Sequence, residues 1–277
     1  MYQALLQGPE HRSFVLPGGE PAALLIHGFP ATPLEIRPLA EALQQAGWTA
    51  QGLLLSGYGP ELADLERRGC RDWLDAIETA LRVLQAAHSP VLLIGYSMGA
   101  ALSIAVAADH PPDGLVLLAP FWRLGSALQC AIGAVVRPFL PRYVRLLRWT
   151  DLGDPDLRQV IRKYLPQVDL DDPEVREQVR QLRVPVSVLY QVGTAGLEGY
   201  RRAPAVHTPT LVVQGTRDRT ARPTLTCRLM ARFPQVPRYV PVDADHDLIN
   251  PLERDWPLVE RAVVEFAADV LWGRIET

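Results

Sequence analysis

The chain has 277 residues, enough for one large domain with an insertion or for two small ones. Hydrophobic residues make up 48% of it, which supports a sizeable core, and the formal net charge of −3 leaves no basic surplus of the kind nucleic-acid binding requires. Residues 1–10 lack a basic stretch followed by an apolar core, so no signal peptide is expected. No apolar run reaches the roughly 18 residues of a membrane span, so no stable membrane anchor is expected either. Cys70, Cys130 and Cys227 have neither metal nor disulfide spacing. The expectation is a cytoplasmic protein with three ordinary, partly buried cysteines.

In chain order, Ala22–Ile26 reads as a buried strand ending at His27-Gly28. Pro33 to Ala46 has helical spacing, with Ile36, Leu39, Ala40 and Leu43 on one face and Gly47 as the stop. Thr49–Leu55 is the next strand. Asp72–Ala87 is a helix through Trp73, Ile77, Ala80, Leu81 and Leu84. The strand Val91–Ile94 runs into a glycine-flanked serine, a helix through Ala108 follows, and Gly114–Ala119 is another strand. The alternation then breaks. From Phe121 to His207 the sequence shows scattered prolines and short helices, the best being Leu157–Leu165 and Pro173–Leu182, each preceded by an Asp-Pro start signal. Pro185–Val192 fits either strand or helix, with helix preferred. After Pro209 the alternation resumes with strand Thr210–Gln214, helix Pro223–Phe233, strand Tyr239–Val242 and helix Arg254–Trp272, whose core face is read as Leu258, Val259, Ala262, Val263 and Phe266. This is an α/β pattern: a mostly parallel central sheet with helices on both faces. Residues 1–120 and 208–277 form the expected core, and 121–207 an inserted helical cap following the Gly114–Ala119 strand.

The chemistry concentrates at Gly95-Tyr96-Ser97-Met98-Gly99. Strand, tight turn with serine at its apex, then helix is the context of a nucleophile elbow. The glycines allow the turn to close, and the helix that follows aims free N–H groups at developing negative charge. Serine needs a base, and the base needs a carboxylate to fix its tautomer. Asp218 follows the Thr210–Gln214 strand and His246 follows Tyr239–Val242, so both sit at carboxyl ends of strands, where open α/β sheets place their sites. Asp243, Asp245 and Asp247 are rival acids by proximity to His246. The oxyanion donors are read as the backbone N–H groups of Met98 and of Phe29, in the turn after Ile26; Pro30 has no N–H to offer. His27 is expected to orient that turn. His11, His88, His110 and His207 are assigned surface or capping roles.

Taken together, His27-Gly28-Phe29-Pro30-Ala31-Thr32-Pro33, Ile36-Arg37-Pro38-Leu39-Ala40-Glu41, Ser56-Gly57-Tyr58-Gly59, Asp72-Trp73-Leu74 and the serine elbow with the late Asp218 and His246 resemble the α/β-hydrolase superfamily. Within it the chain is similar to small bacterial carboxylesterases and monoacylglycerol lipases. The resemblance implies an α/β-hydrolase fold with a helical cap and a Ser97-Asp218-His246 triad that uses no metal and no cofactor. The expected partner is a small ester with an apolar acyl group, short- to medium-chain or a monoacylglycerol, cleaved through an acyl-enzyme on Ser97. Tyr58 departs from the Gly-His-Gly common in relatives, at a position that is not catalytic there. Residues 1–21 leave little room for the usual leading hairpin, so the sheet is expected to lack one or two edge strands. The apolar start of the insertion, Phe121 to Leu140, reads either as packing on the core or as an acyl channel. Arg142, Arg145 and Arg148 read either as solvated or as touching lipid. Carbon–carbon bond or thioester cleavage on the same triad, and a silent binding protein on this scaffold, are the alternative functions. The oligomeric state is not encoded in any of these features.

Overall fold

A computed structural model of the chain describes residues 6–123, 141–145, 150–154, 158, 161 and 168–274. The expected helix Leu157–Leu165, the apolar run from Leu124 to Leu140, Cys130 and Arg148 lie outside the described residues, apart from Arg158 and Ile161.

One seven-stranded sheet organises the chain, built from β1 (Phe14–Leu16), β2 (Ala22–Ile26), β3 (Thr49–Leu53), β4 (Val91–Tyr96), β5 (Gly114–Leu118), β8 (Thr210–Gly215) and β9 (Arg238–Val242). The strand order is β1-β3-β2-β4-β5-β8-β9. Only β1 runs antiparallel to its neighbour, with Val15 opposite Gln51; the other pairs are parallel, as Leu25 opposite Ile94 and Gly95 opposite Leu117 illustrate. Among the described residues a single three-residue strand precedes β2. Strands β2, β4, β5 and β8 are buried along their whole length, which is why they read as continuous apolar runs.

Alternate residues of each strand serve opposite faces. Leu24 and Ile26 join Trp73, Ile77 and Leu81 of α2 (Cys70–Ala87) and the buried face of α3 (Met98–Asp109). Ala23 and Leu25 join Leu39 and Leu43 of α1 (Arg37–Gln45) and the last helix (Trp256–Leu271) on the other face. Pro33–Ala46 therefore divides into a 3-10 turn over Pro33–Ile36 and α1, with Pro38 in the first turn, where its missing N–H costs nothing. In the last helix Leu258 is exposed, contrary to the sequence reading. Trp256, Val259, Ala262, Val263, Phe266 and Ala267 make the core stripe, and Leu258 sits a 100° step off it. Cys70 is buried as expected, whereas Cys227 is exposed.

The insertion contains α4 (Pro173–Arg180), a short β6–β7 ribbon (Tyr143–Val144 with Val184–Pro185) and α5 (Val186–Arg202). Asp172 caps α4 by accepting from the Glu174 N–H at 2.8 Å. Leu152, Ile161, Val168, Leu170 and Val179 form a small core of their own. Helix α5 covers Val186–Val192 of the expected Pro185–Val192 helix, Pro185 itself lying in the ribbon, and continues ten residues further than the sequence suggested, to Arg202. Gly193, Gly196 and Gly199 weaken its intrinsic helical signal. Two of them exist for packing: a Cβ at Gly196 would meet the Trp122 backbone, and one at Gly199 would meet that of Ala101 on α3. At the start of the insertion Trp122 stacks on Tyr200 near its end, with centroids 4.0 Å apart, and its Nε1 donates to Leu225 O at 2.8 Å. The Arg123 and Arg232 guanidinium groups lie 4.8 and 5.1 Å from the Trp122 and Tyr200 ring centres, respectively. Arg142 is held by Glu66, its Nε and Nη2 donating at 2.8 and 2.9 Å, and Tyr143 donates to the same carboxylate. These partners hold Glu66 below its ordinary acidity range.

Candidate active site

Strand β4 ends at Tyr96 and helix α3 begins at Met98, so Ser97 must turn the chain alone. It does so at φ 53°, ψ −113°, a left-handed conformation that side-chain-bearing residues resist by about 1–3 kcal/mol. The surroundings hold it there. Ser97 N–H donates to Leu118 O at 2.9 Å, and Ser97 O accepts from the N–H groups of Ala100 (3.1 Å) and Phe121 (3.3 Å). The flanking glycines are needed because there is backbone where side chains would stand. A Cβ at Gly95 would lie 2.5 Å from Ala100 Cα, and one at Gly99 would lie 2.6 Å from His27 O. Gly99→Ala is accordingly expected to destabilise the fold by about 2–3 kcal/mol. A drop in the urea midpoint with an unchanged m-value would register it.

Asp218 lies in the turn after β8. Its Oδ1 accepts the N–H groups of Thr220 and Ala221, both at 2.8 Å, and its Oδ2 accepts Gln214 Nε2 at 3.1 Å. The residue is 3% exposed. His246, in the loop after β9, places Nδ1 2.8 Å from Asp218 Oδ2 and Nε2 3.0 Å from Ser97 Oγ. The carboxylate oxygens accept, so the ring proton belongs on Nδ1 and the lone pair of Nε2 faces the serine hydroxyl. The rival acids are engaged elsewhere: Asp243 with Arg217 at 3.4 Å, Asp245 with the Asp247 N–H, and Asp247 with Asn250.

The turn after β2 lies against the serine; a Cβ at Gly28 would come within 3.3 Å of Ser97 Cβ. Its shape is fixed by three contacts. Gly28 N–H donates to the buried Glu35 Oε2 at 2.9 Å. Leu55 N–H donates to His27 Nε2 at 3.2 Å, which leaves the proton on Nδ1 to bond Gly28 O at 2.8 Å. Burial pushes His27 down to about 4, so this ring stays neutral and serves as a brace. Neither Phe29 N–H nor Met98 N–H has an acceptor among the described residues. Tyr58 packs behind both: its ring meets Phe29 edge-on at 6.4 Å and its hydroxyl lies 3.8 Å from Met98 Sδ. Burial raises the Tyr58 phenol above its ordinary value, so it stays neutral.

Ser97, Asp218 and His246 are thus joined in one series, with Met98 next to the serine and Phe29 next to the glycine that faces it. His88 bonds Glu20 O and His110 meets Glu78, but His11 is fully buried against Thr32 Oγ1 at 3.0 Å, where a surface role was expected. Three contributors went unread. Tyr96 donates to His246 O at 2.8 Å, with its ring centre 5.5 Å from the imidazole. Glu35 looks from sequence like a solvated first-turn acid. Gln214 carried the clearest signal, a polar side chain ending the apolar run Leu211-Val212-Val213.

A serine, an imidazole and a buried carboxylate in hydrogen-bonded series, beside two unused N–H donors, can perform acyl transfer. Known proteins similar to this chain include hydrolases. The family model Hydrolase_4, described as serine aminopeptidase, S33, matches residues 20–251. A thermostable monoacylglycerol lipase from Bacillus sp. (strain H-257) is 32% identical over 162 residues, covering 58% of this chain and 63% of the relative. A carboxylesterase from Bacillus subtilis (strain 168) is 26% identical over 106 residues, covering 38% of this chain and 43% of the relative. The matches thus span under two thirds of either relative's length. A structure from work on LipS and LipT, two metagenome-derived lipolytic enzymes, superposes with a TM-score of 0.75 at 21% identity, covering 95% of this chain and 99% of that one.

Proposed function

The chain belongs to the Hydrolase_4 family of α/β-hydrolases, and from that premise we propose that this serine hydrolase cleaves carboxylic esters, with short- to medium-chain acyl esters or monoacylglycerols as substrates. The observation that carries the reading is the unbroken series Ser97 Oγ, His246 Nε2, His246 Nδ1, Asp218 Oδ2, with contacts of 3.0 and 2.8 Å. Ser97 Oγ attacks the ester carbonyl carbon while its proton passes to His246 Nε2. The carbonyl oxygen becomes an oxyanion held by Phe29 N–H and Met98 N–H. The tetrahedral intermediate collapses, the carbon–oxygen bond to the alcohol breaks, and the leaving alkoxide takes the proton from His246. Water then attacks the acyl-Ser97 ester, giving its proton to His246, which returns it to Ser97 as the acid departs. Asp218 keeps the ring in the productive tautomer and stabilises the imidazolium.

We place the substrate-covering cap in residues 121–207, with α5 as its root on the core. The separate small core of that segment and the close α3–α5 packing support this division. The packing of Trp122 favours a structural role for the start of the insertion, and Arg142 is committed to Glu66. No described helix is long and apolar enough to cross a membrane. A panel of p-nitrophenyl esters of rising chain length, run beside aminoacyl p-nitroanilides and a thioester, tests the substrate class. Ester turnover with a chain-length optimum is the expected result. Turnover confined to anilides or to thioesters would overturn it.

A further inference from the structure

Gln214 is the residue before the last of β8, and it has no exposed surface. Its Nε2 donates towards Asp218 Oδ2 (3.1 Å), Ala221 O (3.0 Å) and Gly215 O (3.1 Å), two amide hydrogens shared among three acceptors. Its Oε1 accepts from Thr226 Oγ1, itself fully buried, at 2.6 Å. Asp218 Oδ2 is also the oxygen that His246 Nδ1 reaches. A continuous buried series therefore runs from Thr226 on α6 (Pro223–Met230) through Gln214 and Asp218 to His246 and Ser97. Burying an amide is costly unless it is fully bonded, and an aliphatic residue would extend the apolar run Leu211–Val213 at no such cost. The polar group sits where it touches the acid.

We propose that Gln214 is a positioning residue for the acid of the triad: its amide, locked by Thr226, holds Asp218 Oδ2 facing His246 and takes up part of the carboxylate charge. This rests on the serine-hydrolase reading above. The two backbone N–H groups on Oδ1 fix one end of the carboxylate, and Gln214 fixes the other. By sharing the charge on Oδ2, Gln214 weakens the grip of the acid on the imidazolium, so His246 releases its proton to the leaving group more readily. Among the described residues, the other charged or titratable groups around the pair are Tyr96 from the elbow, Arg217 from the β8 turn, and Asp243, Asp245 and Asp247 from the His246 loop. Arg217 and the three acids are engaged among themselves or with Asn250. Gln214 is the neutral donor that reaches Oδ2 directly.

The test uses the full chain with Gln214→Met, which keeps bulk and removes the donor, and Thr226→Val, which releases Oε1 and keeps the donor. Steady-state kinetics on the best ester are combined with the pH dependence of fluorophosphonate labelling at Ser97. Gln214→Met is expected to lower kcat about tenfold with KM within about twofold, and to move the acidic limb of the labelling profile to higher pH. Thr226→Val is expected to shift both in the same direction by less. A Gln214→Met protein that loses only thermal stability, with kcat and the limb in place, would overturn the proposal. If Gln214→Met fails to fold, wild-type values for Thr226→Val overturn it equally. Wild-type protein that resists labelling at Ser97 would instead remove the hydrolase reading on which the proposal stands, a distinguishable result.

Discussion

Replacing Ser97 by alanine is expected to lower ester turnover by a factor of about a million and to abolish fluorophosphonate labelling, with the fold intact. The loss is that large because, among the described residues, nothing else near the site can substitute. The neighbouring nucleophile candidates are committed or remote: the Tyr96 hydroxyl donates to His246 O, and the Tyr58 hydroxyl is buried against Met98 Sδ and held neutral. Removing one oxygen from a side chain 7% exposed leaves a small void, and the backbone bonds from Ser97 to Leu118, Ala100 and Phe121 do not involve that side chain. The variant should therefore match the wild type in circular dichroism and melt within a few degrees of it. Comparable turnover by both proteins would show that the serine is not the nucleophile.

Asp218→Asn is expected to cost about four orders of magnitude in kcat, and the hydrogen bonds around the residue say why. Two backbone N–H groups, from Thr220 and Ala221, point at Oδ1. An asparagine must offer them its carbonyl oxygen, which puts its NH2 in the place of Oδ2. There it would face the Gln214 amide and the His246 Nδ1 proton, donor against donor. The imidazole escapes by moving its proton to Nε2. That nitrogen is then a donor to Ser97 Oγ and can no longer accept the serine proton. Substrate binding is untouched, so KM should stay within a few-fold of the wild-type value while kcat falls. Steady-state kinetics on one ester measure both. A fall confined to KM would point to a role for Asp218 in binding instead.

Much of this was legible in the sequence for a physical reason. The strands that carry the site are buried on both faces, so they appear as apolar runs, and what lies at their carboxyl ends is then fixed by order alone. Ser97, Asp218 and His246 follow β4, β8 and β9, and Phe29 follows β2. The residues that brace them were not legible, because bracing depends on distance in space. Glu35 reaches Gly28 across a turn, Tyr96 reaches a carbonyl 150 positions away, and Gln214 acts across a loop. Helix α5 was underread for a similar reason. Its glycines lower helical propensity, and only the close backbone of α3 explains them. Leu258 was misread because a helical repeat fitted a residue early sweeps a neighbouring position into the buried stripe.

The stack of Arg123, Trp122, Tyr200 and Arg232 gives the insertion a common foot. The chain leaves the sheet at Trp122 and approaches it again at Tyr200, and those two rings touch. Between those rings the described residues are tied to the core through the Leu225 carbonyl, through Glu66 and through the close packing of α5 on α3, and none of these contacts uses the side chain of Ser97, Asp218 or His246. In the proposed cap, the stretch between positions 145 and 183 is expected to tolerate changes of length and sequence while the chemistry beneath stays registered. Selection on substrate preference can then proceed without reopening the problem of how to cut the bond.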